Sequence, residues 1–529
     1  MHGRVKVRTT EEEKARKERE RQEKLKIFKY AMQKIQSKRK SSELDKELLE
    51  LTGKVLSSNP DIYTLWNIRR DILNIFRKNN EADESLSQMF DAELHLTEYC
   101  LKINPKSYCA WHQREWVLTT RTDPDWSTEL SLCNTYLKLD SRNFHTWDYR
   151  RFVVSQCKPP LKVEFDFTTD KLLEDFSNYS AWHYRSKMLV ELYPDLEGGR
   201  PIEDSHHKHE LKMVQSAAFT DPDDTSAWFY QRWLLGAVKT TIRLVTYVIA
   251  PKKATFAFSK HVDLSFVRSK TFLLINNQEI VGEWYSCTGN MYDVLWVFKH
   301  WASITDALDI KVMYENNDGI KEEILSSKCS NSPYIGRTEI DFERKYSAPV
   351  VEELNNQLEA CRQLLELEPD SKWTLLTTTV FLHCINSRLN YKEVMENLKT
   401  LKNVDKLRAG YYSDLITKWS VEEQLYSDYK SDNRQFKVRF TETMSSLPHL
   451  QYYSFCEEVD LSNQNLSSKV LPSLIVLQHC KKLSLANNKL TSLRYFPILD
   501  LEELNLKGNE LDKNEIELLK TSKNYNIIY

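Results

Sequence analysis

Glycine is scarce: 529 residues hold 11 Gly against 13 Trp, where average usage of about 7% would give roughly 37. Residues 54–197 contain none. Rossmann and P-loop turns need Gly for tight bends and close approach to phosphate, and neither GxGxxG nor GxxxxGK[ST] occurs, so a glycine-rich nucleotide fold is excluded there. Charge of one sign is also lacking. The 74 Lys and Arg against 76 Asp and Glu leave a net −2, with no basic field to attract nucleic acid. No apolar run reaches the 18 residues of a transmembrane helix. Met1-His2-Gly3-Arg4-Val5-Lys6 has neither the apolar core of a secretory signal nor Gly at position 2 for myristoylation. The ten Cys form no CxxC, which suggests reduced thiols and a cytoplasmic protein rather than disulfides or a zinc site. The length predicts three or four domains.

What is present is a repeat. Five segments align on Trp66, Trp111, Trp147, Trp182 and Trp228, as in Asn104-Pro105-Lys106-Ser107-Tyr108-Cys109-Ala110-Trp111-His112-Gln113-Arg114 and Asn143-Phe144-His145-Thr146-Trp147-Asp148-Tyr149-Arg150-Arg151. Spacings of 45, 36, 35 and 46 fit helix-pair repeats. An apolar-periodic helix such as Leu94 to Ile103 stops at Asn104-Pro105, where Pro opens the next helix. The Trp then falls in the second turn to fill the seam between hairpins, and Arg three residues on meets carbonyls or carboxylates. In the fifth copy the Arg shifts one place, to Arg232, and a sixth copy around Trp373 is degenerate.

Between Trp228 and Trp373, one period of about 40 leaves roughly 105 inserted residues. There Thr255–Phe258, Val262–Phe266, Phe272–Ile275, Val294–Phe298 and Ile310–Tyr314 are strand-like, and Asn317-Asp318-Gly319 marks a hairpin turn, predicting a small β-sandwich. Helical pattern resumes at Val350. The last ninety or so residues carry LxxLxLxxNxL, at Lys482–Leu490 and Leu501–Leu511 with an earlier copy in which Gln464 takes the Asn position. Charge-dense Arg4 to Lys40 predicts a solvated helix. The expected organisation is multidomain: an α-α hairpin solenoid over 1–242 and 348–440, the β-sandwich insert over 243–347, and a leucine-rich repeat domain over 441–529.

No Ser/His/Asp order, metal-spaced His or paired-carboxylate signature stands out. His206-His207-Lys208-His209-Glu210 has ligand-type residues, but adjacent His point apart, so an exposed helix start is expected. Better candidates lie at the repeat loops. Lys106 follows the Pro that opens a helix, where its ammonium and the helix N-terminus converge on an anion such as a diphosphate. Tyr108 and His145 hold neighbouring loop-edge positions, which in a solenoid line one rim of a concave face.

The Asn-Tyr/Phe-x-x-Trp-x-x-Arg-Arg repeats resemble those of protein prenyltransferase α subunits over residues 59 to 235, with a weaker copy near Trp373. With the insert, the leucine-rich end and the Met1-His2-Gly3-Arg4 start, the chain is similar over essentially its whole length to the branch of that family serving Rab GTPases. The farnesyl and type I α subunit lacks both added domains. The resemblance implies that the insert is immunoglobulin-like, and that a crescent of hairpins wraps a β-subunit α/α barrel holding Zn²⁺ and most of the isoprenoid. It implies geranylgeranyl transfer from geranylgeranyl diphosphate to C-terminal cysteines of Rab GTPases presented by an escort protein, with zinc holding the Cys as thiolate. Lys106 matches the family lysine that meets the departing diphosphate, and Tyr108 and His145 match positions near it. The resemblance also implies an approach of His2 to the partner's zinc. CaaX enzymes have Gln after this Tyr to read the substrate's terminal carboxylate. Here it is Cys109, a poor donor, as fits an enzyme that relies on an escort. The rival expectation is a non-catalytic tetratricopeptide-like adaptor binding proteins through its added domains. Repeats of 34 residues would favour it, and the spacings and the Trp/Arg motif do not.

Overall fold

A computed structural model describes residues 11–78, 83–302, 310–316, 319–325, 333–429, 435–437, 444–522 and 526–529. They divide into two units, 1–192 and 193–529. In the first, α1 (Glu11–Lys40) is solvated along most of its length and buries Ile35 near its end. Four helical hairpins follow: α2 (Lys46–Leu56) with α3 (Tyr63–Lys78), α4 (Asp83–Ile103) with α5 (Tyr108–Thr120), α6 (Trp126–Leu139) with α7 (Phe144–Cys157), and α8 (Leu161–Glu174) with α9 (Tyr179–Leu192).

The motif residues explain the hairpins. Every repeat Trp donates its indole N–H to the backbone carbonyl six residues earlier: Trp66 to Pro60 at 2.8 Å, Trp111 to Pro105 at 3.0 Å, Trp147 to Ser141 at 2.8 Å and Trp182 to Phe176 at 2.7 Å. A carbonyl is what the site requires, so Pro is optional there. The same carbonyls link repeats, because the Asn143 amide donates to Pro105 O (3.1 Å) and the Asn178 amide to Ser141 O (2.7 Å). Arginine three residues after Trp ties hairpins from the other side. Arg114 donates to Leu94 O (2.8 Å) and Thr97 Oγ1 (3.1 Å) on α4, and grips Glu129 on α6 through Nε and Nη2 (2.7 and 2.6 Å). Arg69 with Glu93 and Arg150 with Glu164 repeat this buried, forked pairing.

The second unit opens with a fifth hairpin, α10 (Asp204–Thr220) and α11 (Thr225–Gly236), with the same clamp from Trp228 to Pro222 O at 3.0 Å. The chain then enters β1 (Leu244–Ala250), β2 (Lys253–Asp263), α12 (Leu264–Lys270), β3 (Thr271–Ile275), β4 (Gln278–Glu279), β5 (Gly282–Ser286), β6 (Tyr292–His300), β7 (Ile310–Glu315), β8 (Lys321–Leu325) and β9 (Tyr334–Arg337). These form two antiparallel sheets, β5-β6-β2-β1-β9 and β4-β3-β7-β8. One core joins them, with Tyr247, Phe256 and Phe298 from the first and Leu273, Val312 and Tyr314 from the second. The expected strand Val262–Phe266 is half wrong: Asp263 accepts from Phe266 N–H at 2.8 Å and caps α12 instead. Of the predicted hairpin turn, Asn317 and Asp318 lie outside the described residues, and Gly319 adopts φ 76° between the paired β7 and β8.

Helices return as α13 (Ala348–Leu367), α14 (Lys372–Asn386), α15 (Tyr391–Val404) and α16 (Ala409–Asp428). A parallel sheet then runs in order through β10 (Gln435–Lys437), β11 (Glu458–Asp460), β12 (Lys482–Ser484), β13 (Glu503–Asn505) and, after α17 (Lys513–Ser522), β14 (Asn526–Ile528). Val459, Leu483, Leu504 and Ile527 stand in register. The motif Asn fastens each turn: the Asn488 amide donates to Leu461 O and Leu485 O, both at 2.9 Å, while its oxygen accepts from Leu466 N–H at 3.2 Å. A second core runs from these leucines to Val421 and Leu425 on α16 and to Val245, Val248 and Leu295 on the outer face of the first sheet. No helix of the described residues is long and apolar enough to cross a membrane.

Candidate functional site

Loop clamping fixes the N-terminal ends of α5 and α7 side by side. Ser107 caps α5 and Asn143 caps α7, and Pro105 O takes hydrogen bonds from both Trp111 and Asn143. Lys106 is exposed on this held loop, its ammonium making no ion pair to a described residue. Tyr108 opens α5 and is 66% exposed, whereas His145, near the start of α7, is only 6% exposed. The Tyr108 and His145 rings meet edge to face with centroids 4.3 Å apart, and Phe144 lies 4.0 Å from His145. Burial pulls the His145 pKa below its ordinary 6.5; the Asp148 carboxylate opposes this and the Lys106 charge adds to it. The three expected residues therefore stand together, with an imidazole held neutral beside an ammonium that no described residue pairs.

Tyr108 and His145 also line an open cavity of about 500 Å³; Lys106 stands outside its lining. Its walls include Tyr63, Trp111, Tyr149 and Phe152, and two carboxylates, Glu115 and Asp148, face it. The sequence reading missed Glu115 and Asp148. The signal was in the repeat, since they follow their Trp by four and one residues on the helix face that carries Tyr108 and His145. Cys109 is on the same wall. Burial raises its thiol pKa, so it stays protonated.

Two other candidates resolve differently. His2 lies outside the described residues. The 206–210 cluster is dispersed along α10, and the expected exposed helix start is corrected at His207. That residue is 5% exposed, and its Nε2 bonds Leu234 O at 3.1 Å because its face packs on α11. His206 stacks on Tyr193 at 3.5 Å and pairs with Glu203, and Glu210 accepts from Tyr230 OH at 2.6 Å. Among the described residues, no three of His, Cys, Asp and Glu come together to hold a metal ion.

The protein prenyltransferase alpha subunit repeat model matches residues 45–76, 90–121, 126–157, 161–192 and 207–238, each match ending within its hairpin or just past it. Geranylgeranyl transferase type-2 subunit alpha of Sus scrofa is 37% identical over 533 residues, covering 97% of this chain and 92% of that protein. The Homo sapiens protein of that name is 36% identical over 532 residues with the same coverage. The Schizosaccharomyces pombe one is 34% identical over 246 residues, or 45% of this chain and 71% of that protein. With identity of this order running from end to end of both chains, and with five of its hairpins matched one by one, the chain belongs to the family of geranylgeranyl transferase type-2 alpha subunits.

Proposed function

We propose that this chain is the α subunit of a heterodimer that transfers a geranylgeranyl group from geranylgeranyl diphosphate to C-terminal cysteines of escort-bound Rab GTPases. The observation that carries this reading is the similarity over 97% of the chain to type-2 alpha subunits. Domain limits follow the sequence pattern: prenyltransferase repeats over 1–242 and 348–440, an immunoglobulin-like sandwich over 243–347 and leucine-rich repeats over 441–529. The zinc that the resemblance implies is assigned to the β subunit, and among the described residues of this chain no donor set is present.

In the reaction a cysteine sulfur bonds C1 of the isoprenoid as the C1–O bond to diphosphate breaks, and both bonding electrons leave with the diphosphate. Negative charge therefore grows on oxygen in the transition state. The Lys106 ammonium has no counter-ion among the described residues and rides a loop fixed by two hydrogen bonds to Pro105 O, so it meets that charge without first breaking an ion pair to any of them. The N-terminal end of α5 adds its dipole. Tyr108 presents a hydroxyl donor at the same edge, and neutral His145 supports the Tyr108 ring and adds no competing charge.

Co-expressed with a β subunit and supplied with Zn²⁺, geranylgeranyl diphosphate, escort protein and a Rab, the chain should support lipid transfer. Lys106→Ala should slow the single-turnover chemical step about 100-fold, the scale for losing one transition-state donor, with little change in Rab binding. An undiminished single-turnover rate sinks the Lys106 role; a stably monomeric chain that supports no transfer sinks the function.

A further inference from the structure

The displaced arginine of the fifth repeat has no acceptor of its own among the described residues. Arg70 and Arg151 hold the same place, four residues after their tryptophans, and each is satisfied within its unit: Arg70 Nε donates to Gln113 Oε1 at 2.7 Å, and Arg151 pairs with Asp148. Arg232 instead lies between rings, its guanidinium carbon 4.9 Å from the Phe229 centroid and 5.0 Å from that of Trp373. Its Nη2 is sealed from solvent with no hydrogen-bond partner. More positive charge surrounds the same indole, with Arg408 at 4.6 Å and Lys372 at 6.0 Å. The carboxylate beside Arg408, Asp405, is taken by Arg408 Nη1 (3.0 Å) and Tyr412 OH (2.9 Å). The ionisable groups that act on Arg232 are the Tyr411 and Tyr412 hydroxyls and the like charge of Arg408. Asp405 thus serves Arg408 and Lys372, and no described carboxylate registers at Arg232. Phe229 and Tyr411 beside them are 46% and 47% exposed, so the cluster opens to the surface.

A guanidinium held under aromatic rings without a counter-charge is costly to a free chain, and the rings offset only part of the cost. We infer that Arg232, Arg408 and the Trp373 face form a socket for a carboxylate presented by the partner subunit, the charge of the complex being completed only on assembly. This rests on the proposal that the chain is an α subunit. The bound carboxylate would reach the guanidinium by a small turn of Phe229 or Arg408, both of which have solvent on one side.

The sign of two measurements separates this role from simple packing. Titrated with its β subunit, the full-length chain carrying Arg232→Met should bind about tenfold or more weaker, with a shallower dependence of affinity on salt. Arg408→Gln should weaken binding less, and Arg232→Lys should recover part of the loss. Thermal melting of the free Arg232→Met chain should be unchanged or higher, since an unpaired buried cation has been replaced by an isostere. Unchanged affinity in Arg232→Met overturns the inference, as does a loss of affinity that comes with a lower melting temperature. Calorimetric titration with inorganic diphosphate tests the other source of the same chemistry: saturable binding lost in Arg232→Met, with subunit affinity unchanged, makes this a small-anion site and overturns the partner reading. If the unaltered chain binds no β subunit, the α-subunit proposal falls together with this one.

Discussion

At the scale of single residues, buried charge is affordable where both partners are present. Arg114 is 3% and Glu129 2% exposed; the pair forms two parallel hydrogen bonds, and Tyr149 OH adds a third to the carboxylate at 2.6 Å. Arg114→Ala strands Glu129 and should cost about 3–5 kcal/mol, whereas Arg114→Met with Glu129→Leu should cost far less, a contrast that denaturant melts of single and double variants will read. A buried histidine gives a pH dependence. His383 stacks on Trp419 at 4.0 Å, and burial lowers its pKa from 6.5 to about 4 despite the nearby Glu422. Above pH 6.5 it is neutral folded or unfolded. Between 6.5 and about 4 only the unfolded chain takes the proton, so the stability of the 193–529 unit should fall on acidification by about 3 kcal/mol from this group and then level off. His383→Gln should flatten that part of the pH profile of the melting temperature. Lys106, Tyr108 and His145 were legible because the repeat put them in phase. His383 was not, since it belongs to no motif and its environment comes from another helix.

At the scale of elements, legibility followed the number of buried faces. Strands β3 and β7 alternate buried and half-buried residues, and Phe272–Ile275 and Ile310–Tyr314 were read as strands. Strand β1 is buried on both faces, with Tyr247 in one core and Val248 in the other, so Leu244–Ala250 showed no alternation and was missed. Its pairing with β9 depends on a glycine. A Cβ at Gly336 would lie 2.1 Å from the Tyr247 ring, so Gly336→Ala should destabilise by about 2 kcal/mol or more, and Tyr247→Leu in that background should restore part of the loss in thermal melts. The run Val262–Phe266 misled because its apolar residues serve a strand end and a helix start, and Asp263 between them is a cap.

At the scale of the whole molecule, the sequence pattern separates the strand-rich insert, the last helices and the leucine-rich end, yet one core crosses all three. Val245, Val248 and Leu295 of the first sheet and Val421 and Leu425 of α16 share a cluster with Leu461, Leu471 and Leu483. Those residues lie far apart in the chain, and each is apolar for a reason its own element already supplies, so no local pattern announces the seam. Ending the chain at residue 440 should expose that face. The truncated protein is expected to aggregate on size exclusion and to be cut by protease in the sandwich, whereas the intact 193–529 unit should unfold in one transition.

The indole clamp works as a ruler. Because each Trp must reach a carbonyl six residues back, the approach to the second helix of a hairpin is held to a fixed step: the link is four residues long between α4 and α5, α6 and α7, α8 and α9, and α10 and α11, and only α2 and α3, with six, lengthen it ahead of the clamped carbonyl of Pro60. The links leaving the second helix have no such constraint, and there they differ, from three residues between α7 and α8 to eleven between α9 and α10, and to the whole sandwich after α11. One end of every hairpin is thus metrically frozen and carries Lys106, Tyr108 and His145, while the other end is free to accept new sequence. A domain can enter the chain at the free end without moving the frozen one by a single residue.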